Sequence, residues 1–217
     1  MKKFNKLIIA CDGESASGKS TASKLISKKY NLLLINSGLL YRYASKLIIK
    51  YKPKNIIFFL NKKFKKVSYK TIAQQNLHSE QISNHVATLA KNQKVRKIIN
   101  NFQRKIINTN NKICVEGRDI ATKILNKNPK YDLAFYFTCK IDIAAKRRWK
   151  ELKKKVPLKE VKKSLMKRTN MDKNRKHSPL KKVKNAILIR TDKLNKKEVL
   201  NKMSKEIDKL SSYKTPQ

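Results

Sequence analysis

Short apolar runs alternate along the chain with longer segments in which apolar residues recur every three or four positions. Compact apolar runs bounded by polar residues or glycine are typical of buried strands, and the longer spacing is typical of helices with one buried face. The runs predict five strands, at 6–12, 32–35, 113–115, 133–137 and 186–189. The spaced segments predict helices at 19–29, 39–51, 81–107, 141–154 and 158–168, and a last helix that buries Val199, Leu200, Met203, Ile207 and Leu210.

The alternation of strands and helices predicts an α/β fold with a mostly parallel sheet covered on both sides. With 217 residues the chain fits a single domain. Segment 53–79 interrupts the alternation, because its pieces IIFFL and FKKVSYKTI are rich in lysine and in residues that favour strands. We expect this segment to form a small inserted lobe, and we expect the chain after Leu210 to fray.

The chain carries 55 Lys and Arg against 14 Asp and Glu, a formal net charge of +41. Such an excess ordinarily points to nucleic acid or an anionic membrane, and an RNA-associated protein is one interpretation of it. The lysines are spread along the chain instead of clustering, however, so a preference for A/T-rich codons explains them better. We therefore expect no specific nucleic-acid partner.

The cysteines and the apolar runs indicate the cellular compartment of the protein. Cys11, Cys114 and Cys139 lie in or beside apolar runs without CxxC spacing, which indicates reduced thiols. The apolar run 7–11 is shorter than the roughly 7–15 residues of a signal peptide's apolar region, and no run approaches the roughly 20 residues of a membrane span. We expect a soluble, cytoplasmic protein with no membrane partner.

The stretch GESASGKST holds two of the chain's four glycines and fits the Walker A pattern between a predicted strand and a predicted helix. Such a loop turns backbone N–H groups towards phosphates at a helix N-terminus. In this pattern Lys19 reaches the β and γ phosphates and Ser20 holds Mg²⁺. We expect the nucleotide to contact Gly13, Glu14, Ser15, Ala16, Ser17, Gly18, Lys19, Ser20 and Thr21, and we expect Lys19→Ala to abolish turnover with the fold intact.

The chain is small for a motor and lacks the NKxD motif of a GTPase, so transfer of phosphate to a small acceptor is the remaining class. Two further glycine motifs follow predicted strands. In NSGLLYR, Ser37 and Gly38 are expected to cap a helix and Arg42 to face the crevice at the carboxyl ends of the strands. In VEGRDI, Gly117 permits a tight turn that directs Arg118 and Asp119 into the same crevice.

Two basic segments complete the set of candidates. In RTNMDKNR, Arg168 and Asp172 lie four residues apart on one helix face, with Arg175 near its end. Arg147 and Arg148 lie in KRRWKELKKK, a basic helix suited to close over phosphates as a lid. Taken singly, each of these segments is equally compatible with a solvated surface.

Together the motifs resemble the bacterial cytidylate kinases, the P-loop kinases that phosphorylate CMP and dCMP. The resemblance is carried by residues 9–21, 34–42, 82–106, 115–121 and 168–180. It implies the P-loop kinase fold: a five-stranded parallel sheet flanked by helices, with a small nucleoside-monophosphate-binding insert and a helical lid. The core would comprise 1–51 and 80–217, the insert about 52–79 and the lid about 142–175. The implied substrates are ATP and CMP or dCMP, with Mg²⁺ as cofactor, and we expect a monomer.

Site roles follow from the resemblance, position by position. Ser37, Arg42 and Arg118 would hold the acceptor's phosphate region, and Arg96 and Asp119 would face the cytosine. Arg168, Asp172 and Arg175 would contact ribose or phosphates. In the chemistry expected for such a site, Lys19 and Mg²⁺ on Ser20 would hold the donor, and Arg147 or Arg148 would close with Arg168 on the transferring group. Asp12 and Glu116, both at predicted strand ends, would orient magnesium-bound waters.

The chain departs from the family's usual pattern in four respects. Its insert is shorter, Ala87 stands where a serine often lies near the cytosine amine, Glu116 replaces an aspartate before Gly117, and Met171 replaces a frequent basic residue. A kinase for UMP, AMP or shikimate is therefore kept as an alternative function, beside the RNA-associated protein.

Overall fold

The computed structural model describes residues 4–213, and the side chains of all of these except residues 80 and 211–213. Five strands form one parallel sheet in the order β2-β3-β1-β4-β5. They are β1 (Leu7–Gly13), β2 (Leu33–Asn36), β3 (Lys112–Gly117), β4 (Leu133–Thr138) and β5 (Ile187–Arg190). All five match the strands predicted from the apolar runs, and the α/β fold class is confirmed.

Alternate residues of the central strand β1 enter two different cores, which explains why its whole run is apolar. Ile9 and Cys11 pack with residues of helices on one face, and Ile8 and Ala10 pack on the other. A parallel sheet covered on both faces buries every side chain of its middle strand. The carboxyl ends of the strands therefore open onto a single edge, where the loops that follow them meet.

Nine helices are present in the described part of the chain. They are α1 (Lys19–Tyr30), α2 (Ser37–Tyr51), α3 (Ile56–Lys66), α4 (Tyr69–Ala73), α5 (Glu80–Leu89), α6 (Gln93–Asn108), α7 (Ile141–Glu151), α8 (Leu158–Asn174) and α9 (Lys196–Tyr213). A short π-helical turn spans Ile120–Ile124. No helix among residues 4–213 has the length and apolarity to span a membrane.

Segment 53–79 is helical, so the strand preference predicted for it was wrong. Asn55 caps α3 by accepting a hydrogen bond from the Phe58 amide, and Leu60 and Phe64, one turn apart, are buried. These side chains pack in one core with α2, α5 and α6. Tertiary burial of one helical face outweighs the intrinsic strand preference of Ile and Phe.

Other predicted boundaries also shift. The single helix predicted at 81–107 is two helices, because Asn92 caps α6 by accepting from the Lys94 and Val95 amides. Helix α8 runs six residues beyond the predicted end at Arg168. Helix α9 continues to Tyr213, past the point at which fraying was expected, and residues 214–217 lie outside the described part.

Helices α7 and α8, with the turn between them, form a hairpin around a small core of their own, and we call residues 141–174 the lid hairpin. Ala144, Ala145, Val161 and Leu165 are buried in this core together with Cys139. Two partly buried residues pack against it, Trp149 of α7 and Ala16 of the loop after β1. The three cysteines are buried and free, as predicted.

Candidate active site

The loop between β1 and α1 has the geometry of a phosphate cradle. Ala16 and Gly18 both adopt left-handed backbone conformations, with φ of 55° and 77°. Gly18 caps α1 without any side-chain hydrogen bond, which leaves the first amides of the helix to an anion. The loop is braced from within by Ser17, whose hydroxyl donates to the Glu14 carbonyl at 2.9 Å.

Gly13 differs from the rest of this loop because its role is packing. A Cβ at position 13 would lie 2.4 Å from the Phe137 carbonyl oxygen and 2.7 Å from the Phe137 Cβ. Glu14 donates its amide to the same carbonyl. Only glycine lets β1 leave the sheet so close to β4.

Lys19 and Glu116 form a buried ion pair behind the loop. The Lys19 Nζ donates to Glu116 Oε2 at 3.0 Å, with the side chains 7% and 1% exposed. Glu116 thus contacts the lysine directly.

Across the crevice, Arg118 links the loop after β3 to two other elements. Its Nε donates to Asp172 Oδ2 of α8 at 2.9 Å, and its NH2 donates to the Ser15 hydroxyl at 3.3 Å. Arg42 lies nearby, and its NH1 donates to the Leu77 carbonyl and to the Ser83 hydroxyl. Burial, followed by the charges of Arg148 and Arg118, lowers the pKa of Arg42.

Arg168 is a cation whose opposing charge, that of Asp172, is already paired with Arg118. Among the described side chains it has no ion-pair or hydrogen-bond partner. Burial, and then the positive charge of Arg118, lowers the pKa of Arg168 to about 10. Four guanidinium groups therefore lie close together and meet two carboxylates: Glu151 pairs with Arg148, and Asp172 pairs with Arg118 and also with Arg175 outside the group. This cluster, which we call the arginine cluster, comprises Arg42, Arg118, Arg148 and Arg168.

Asp119 lies between two further arginines at one side of the crevice. Its Oδ2 accepts a hydrogen bond from Arg96, and its Oδ1 accepts from Arg175 at 3.3 Å. The Arg96 guanidinium also lies 5.6 Å from the centre of the Tyr41 ring. All four side chains line one wall and form a polar surface backed by an aromatic ring.

One cavity of about 780 Å³ joins these groups. Three of the predicted site residues, Asp12, Gly13 and Glu116, do not line it. The others do: Glu14, Ser15, Ala16, Ser17, Gly18, Lys19, Ser20, Thr21, Ser37, Arg42, Arg96, Arg118, Asp119, Arg147, Arg148, Arg168, Asp172 and Arg175. The phosphate loop and the arginine cluster both line it, and Arg118 joins them through the Ser15 hydroxyl. The arrangement suits two polyanions held with their phosphates facing each other.

Known proteins with the same pattern identify the family. The cytidylate kinase family model matches residues 9–209. The cytidylate kinase of Fusobacterium nucleatum is 35% identical over 95% of this chain and 100% of that protein. The cytidylate kinase of Clostridium tetani is 32% identical over 94% of both. The chain belongs to the cytidylate kinase family.

A solved structure supports the fold independently. A gluconokinase from Sinorhizobium meliloti 1021 superposes with a TM-score of 0.52, covering 99% of this chain and 100% of that one at 11% identity. At that identity the likeness concerns the fold alone, and it agrees with the P-loop kinase fold predicted from the sequence.

In this cytidylate kinase family chain Arg147 is held away from the arginine cluster. Its NH1 donates to the Thr191 hydroxyl at 3.0 Å and its NH2 to the Thr191 carbonyl at 2.7 Å. The Thr191 hydroxyl in turn donates to the Ser17 carbonyl at 3.0 Å. Arg147 therefore braces the phosphate loop, whereas Arg148 faces Arg42 and Arg168, and the closing role predicted for either arginine fits Arg148 better.

Ser37 is buried at the predicted place, but its contacts differ from those expected. The helix cap is Asn36, whose Oδ1 accepts from the Leu39 amide, so the predicted cap at Ser37 and Gly38 was wrong. The Ser37 hydroxyl donates to Gln103 Oε1 at 2.6 Å. Gln103 is buried in α6, and the sequence pattern gave no reason to single it out.

Two more residues at the site carry no motif. Thr191 follows β5 in an ordinary polar stretch, and Tyr69 lies in the insert. The Tyr69 hydroxyl accepts a hydrogen bond from the Asn36 amide at 2.7 Å, at the start of α2. Both act through contacts between residues distant in the chain, and such contacts leave no local signature.

Proposed function

We propose that the chain transfers the γ-phosphoryl group of ATP to CMP or dCMP, yielding ADP and CDP or dCDP. The observation that carries this proposal is the arginine cluster in the same cavity as the phosphate loop. Its four guanidinium groups meet two carboxylates, one of which, Asp172, is also shared with Arg175, so the cluster carries an excess of positive charge. A phosphate monoester bears about −1.5 to −2 charge at pH 7, so a nucleoside monophosphate would balance this excess.

The reaction needs no general base. An ionised oxygen of the CMP phosphate attacks the γ-phosphorus of ATP, and a new P–O bond forms as the bond to the β–γ bridging oxygen breaks. The bridging oxygen leaves on ADP with its electron pair. Positioning and charge neutralisation supply the catalysis, because the attacking oxygen is already deprotonated. Lys19 would hold the donor, Arg42 and Arg118 the acceptor, and Arg148 with Arg168 the transferring group.

Lys19 must exchange partners for this to happen. In the structure its ammonium group is bound to Glu116, 3.0 Å away and behind the phosphate loop. A donor phosphate in the cradle offers a competing anion at the helix N-terminus. Glu116 is therefore proposed to fix the lysine's direction before nucleotide binds.

Selectivity for cytosine is assigned to Asp119 and Arg96. The exocyclic amine of cytosine donates a hydrogen bond that Asp119 can accept, and its N3 and O2 accept hydrogen bonds that Arg96 can donate. Uracil reverses two of these groups, and polar groups left unpaired in a buried site reject a mismatched base strongly. Arg175 holds the second carboxylate oxygen, which orients Asp119 for this contact.

Ser20 is the residue proposed to contact Mg²⁺. It directly follows Lys19, is exposed and lines the cavity beside the phosphate loop. A hydroxyl oxygen is a hard ligand of the kind that Mg²⁺ accepts alongside phosphate oxygens and water. When bound, Mg²⁺ would neutralise charge on the β and γ phosphates.

The insert at about 52–79 and the lid at about 142–175 are proposed as the moving parts. Lys173 of α8 already pairs with Glu14 of the phosphate loop at 2.7 Å, and Asp172 pairs with Arg118. The lid hairpin thus contacts both halves of the site. We further propose that the protein acts as a cytoplasmic monomer, on small-molecule substrates and without a specific nucleic-acid or membrane partner.

An ADP-release assay with CMP, dCMP, UMP, AMP and shikimate as acceptors tests the function. We expect turnover with CMP and dCMP at least 100-fold above that with UMP or AMP in kcat/KM. Preference for UMP, AMP or shikimate would replace the proposed substrate with one of the alternatives. Tight RNA binding at physiological salt together with no turnover of any acceptor would favour the RNA-associated protein.

A further inference from the structure

Asp12 occupies a position that joins the two halves of the site. It is the penultimate residue of β1, directly before Gly13, and is 2% exposed. Its register partner in β3 is Gly117, the residue before Arg118 and Asp119. A carboxylate buried at this depth is costly unless hydrogen bonds satisfy it.

Both oxygens of Asp12 are occupied by backbone groups. Its Oδ1 accepts from the Ile120 amide at 2.8 Å, and its Oδ2 accepts from the Ala121 amide at 2.8 Å. These amides are the first two after Asp119, at the start of the π-helical turn. The predicted role of Asp12, orienting a magnesium-bound water, therefore does not match its contacts.

We propose that Asp12 is a positioning residue that fixes the acceptor loop, residues 117–121, relative to the phosphate loop. The backbone of Asp12 belongs to β1, the strand that leads into the donor site. Its carboxylate accepts hydrogen bonds from the two amides that follow Arg118 and Asp119. The distance between donor and acceptor is thereby set by a single side chain and the strand pairing beneath it.

Accepting both of these hydrogen bonds requires a carboxylate. Two amide donors lie on two separate oxygens, and an asparagine offers one oxygen and one NH₂ group of nearly the same shape. Asn at this position would satisfy one amide and place its own NH₂ against the other. The acceptor loop would lose one anchor while Gly13 keeps its packing on Phe137.

Asp12→Asn therefore tests the inference, with Asp132→Asn as the matched control. Asp132 also uses a carboxylate oxygen to accept a β1 amide, that of Ile8, at 2.7 Å, but at the opposite end of the strand. We expect Asp12→Asn to raise the KM for CMP and lower kcat/KM about 10- to 100-fold, as a misplaced acceptor would. The Kd for ATP, measured by calorimetry, should change less than about threefold. Asp132→Asn should leave both kinetic constants unchanged.

The role of Asp12 rests on the proposed function, but different results would overturn each of them. A wild-type enzyme that does not phosphorylate CMP overturns the function. An active wild-type enzyme with a folded Asp12→Asn variant of unchanged KM for CMP overturns the inference. Equal kinetic losses in both aspartate variants, tracking their loss of Tm, would also overturn it, since a merely structural role would produce that pattern.

Discussion

Substituting Lys19 should destabilise the fold as well as stop turnover. The Walker A pattern alone suggested that Lys19→Ala leaves the fold intact, but the lysine is half of a buried ion pair with Glu116. At 3.0 Å and an effective dielectric constant of about 20, two unit charges attract by about 5.5 kcal/mol. Removing one partner leaves a buried carboxylate uncompensated, which costs about 3–5 kcal/mol.

The perturbation to make is Lys19→Met, alone and together with Glu116→Gln. Methionine keeps the length of the side chain and removes its charge, and glutamine keeps the shape of its partner. We expect the single variant to lose about 3–5 kcal/mol of unfolding free energy and the double variant to recover most of it. Since domains of this size are stable by only about 5–15 kcal/mol, the single variant would be severely weakened.

Urea denaturation at pH 7, followed by circular dichroism, measures these changes. Lys173→Met is the control, because its pair with Glu14 has side chains 44% and 19% exposed and an exposed pair contributes at most about 1 kcal/mol. The reasoning is refuted if Lys19→Met costs no more than this control, or if the double variant is no more stable than Lys19→Met. Both Lys19 variants should be inactive. If the double variant is stable and still inactive, its loss of activity is due to the missing lysine and not to unfolding.

Three further predictions concern single residues. Gly13→Ala should cost more than 1 kcal/mol in urea denaturation, because its Cβ would meet the immovable Phe137 carbonyl at 2.4 Å; an unchanged stability would contradict this. Burial raises the pKa of Asp12 to about 6, so the folded state binds this proton more tightly than the unfolded state does. The free energy of unfolding should therefore increase as the pH falls below 6. Relative to Asp12→Asn, the wild type should gain on the order of 2 kcal/mol between pH 7 and 4.5, and parallel pH curves would exclude the shift. Asp119→Asn should narrow the CMP-over-UMP ratio of kcat/KM, and an unaltered ratio would rule out its contact with the base.

The features that the sequence predicted well are those with local causes. A strand, a glycine loop and a helix follow one another within 6–29, so the periodicity and the motif together predict the donor half of the site. The buried strands are likewise marked by their own apolar runs. Arg42, Arg118 and Arg168 were found because each lies in a short motif at a strand end or on a helix.

The features that were missed depend on contacts between distant residues. The Lys19–Glu116 pair joins residues 97 apart in sequence, and Asp12 reaches amides more than 100 residues away. The residues adjacent to Asp12 in the sequence do not indicate whether its carboxylate accepts from backbone amides or contacts water. The strand preference expected in segment 53–79 came from its Ile and Phe residues, which favour strands in isolation, whereas the core beneath α3 selects a helix.

The small core of the lid hairpin has a practical consequence for following the enzyme at work. Trp149 is the chain's only tryptophan, and it packs against the same core as Ala16 of the phosphate loop. Indole emission is sensitive to its surroundings, so all tryptophan fluorescence of this protein reports from the junction between loop and lid. Stopped-flow mixing of the unlabelled native chain with substrate therefore measures directly whether binding changes the packing of the lid hairpin against the loop.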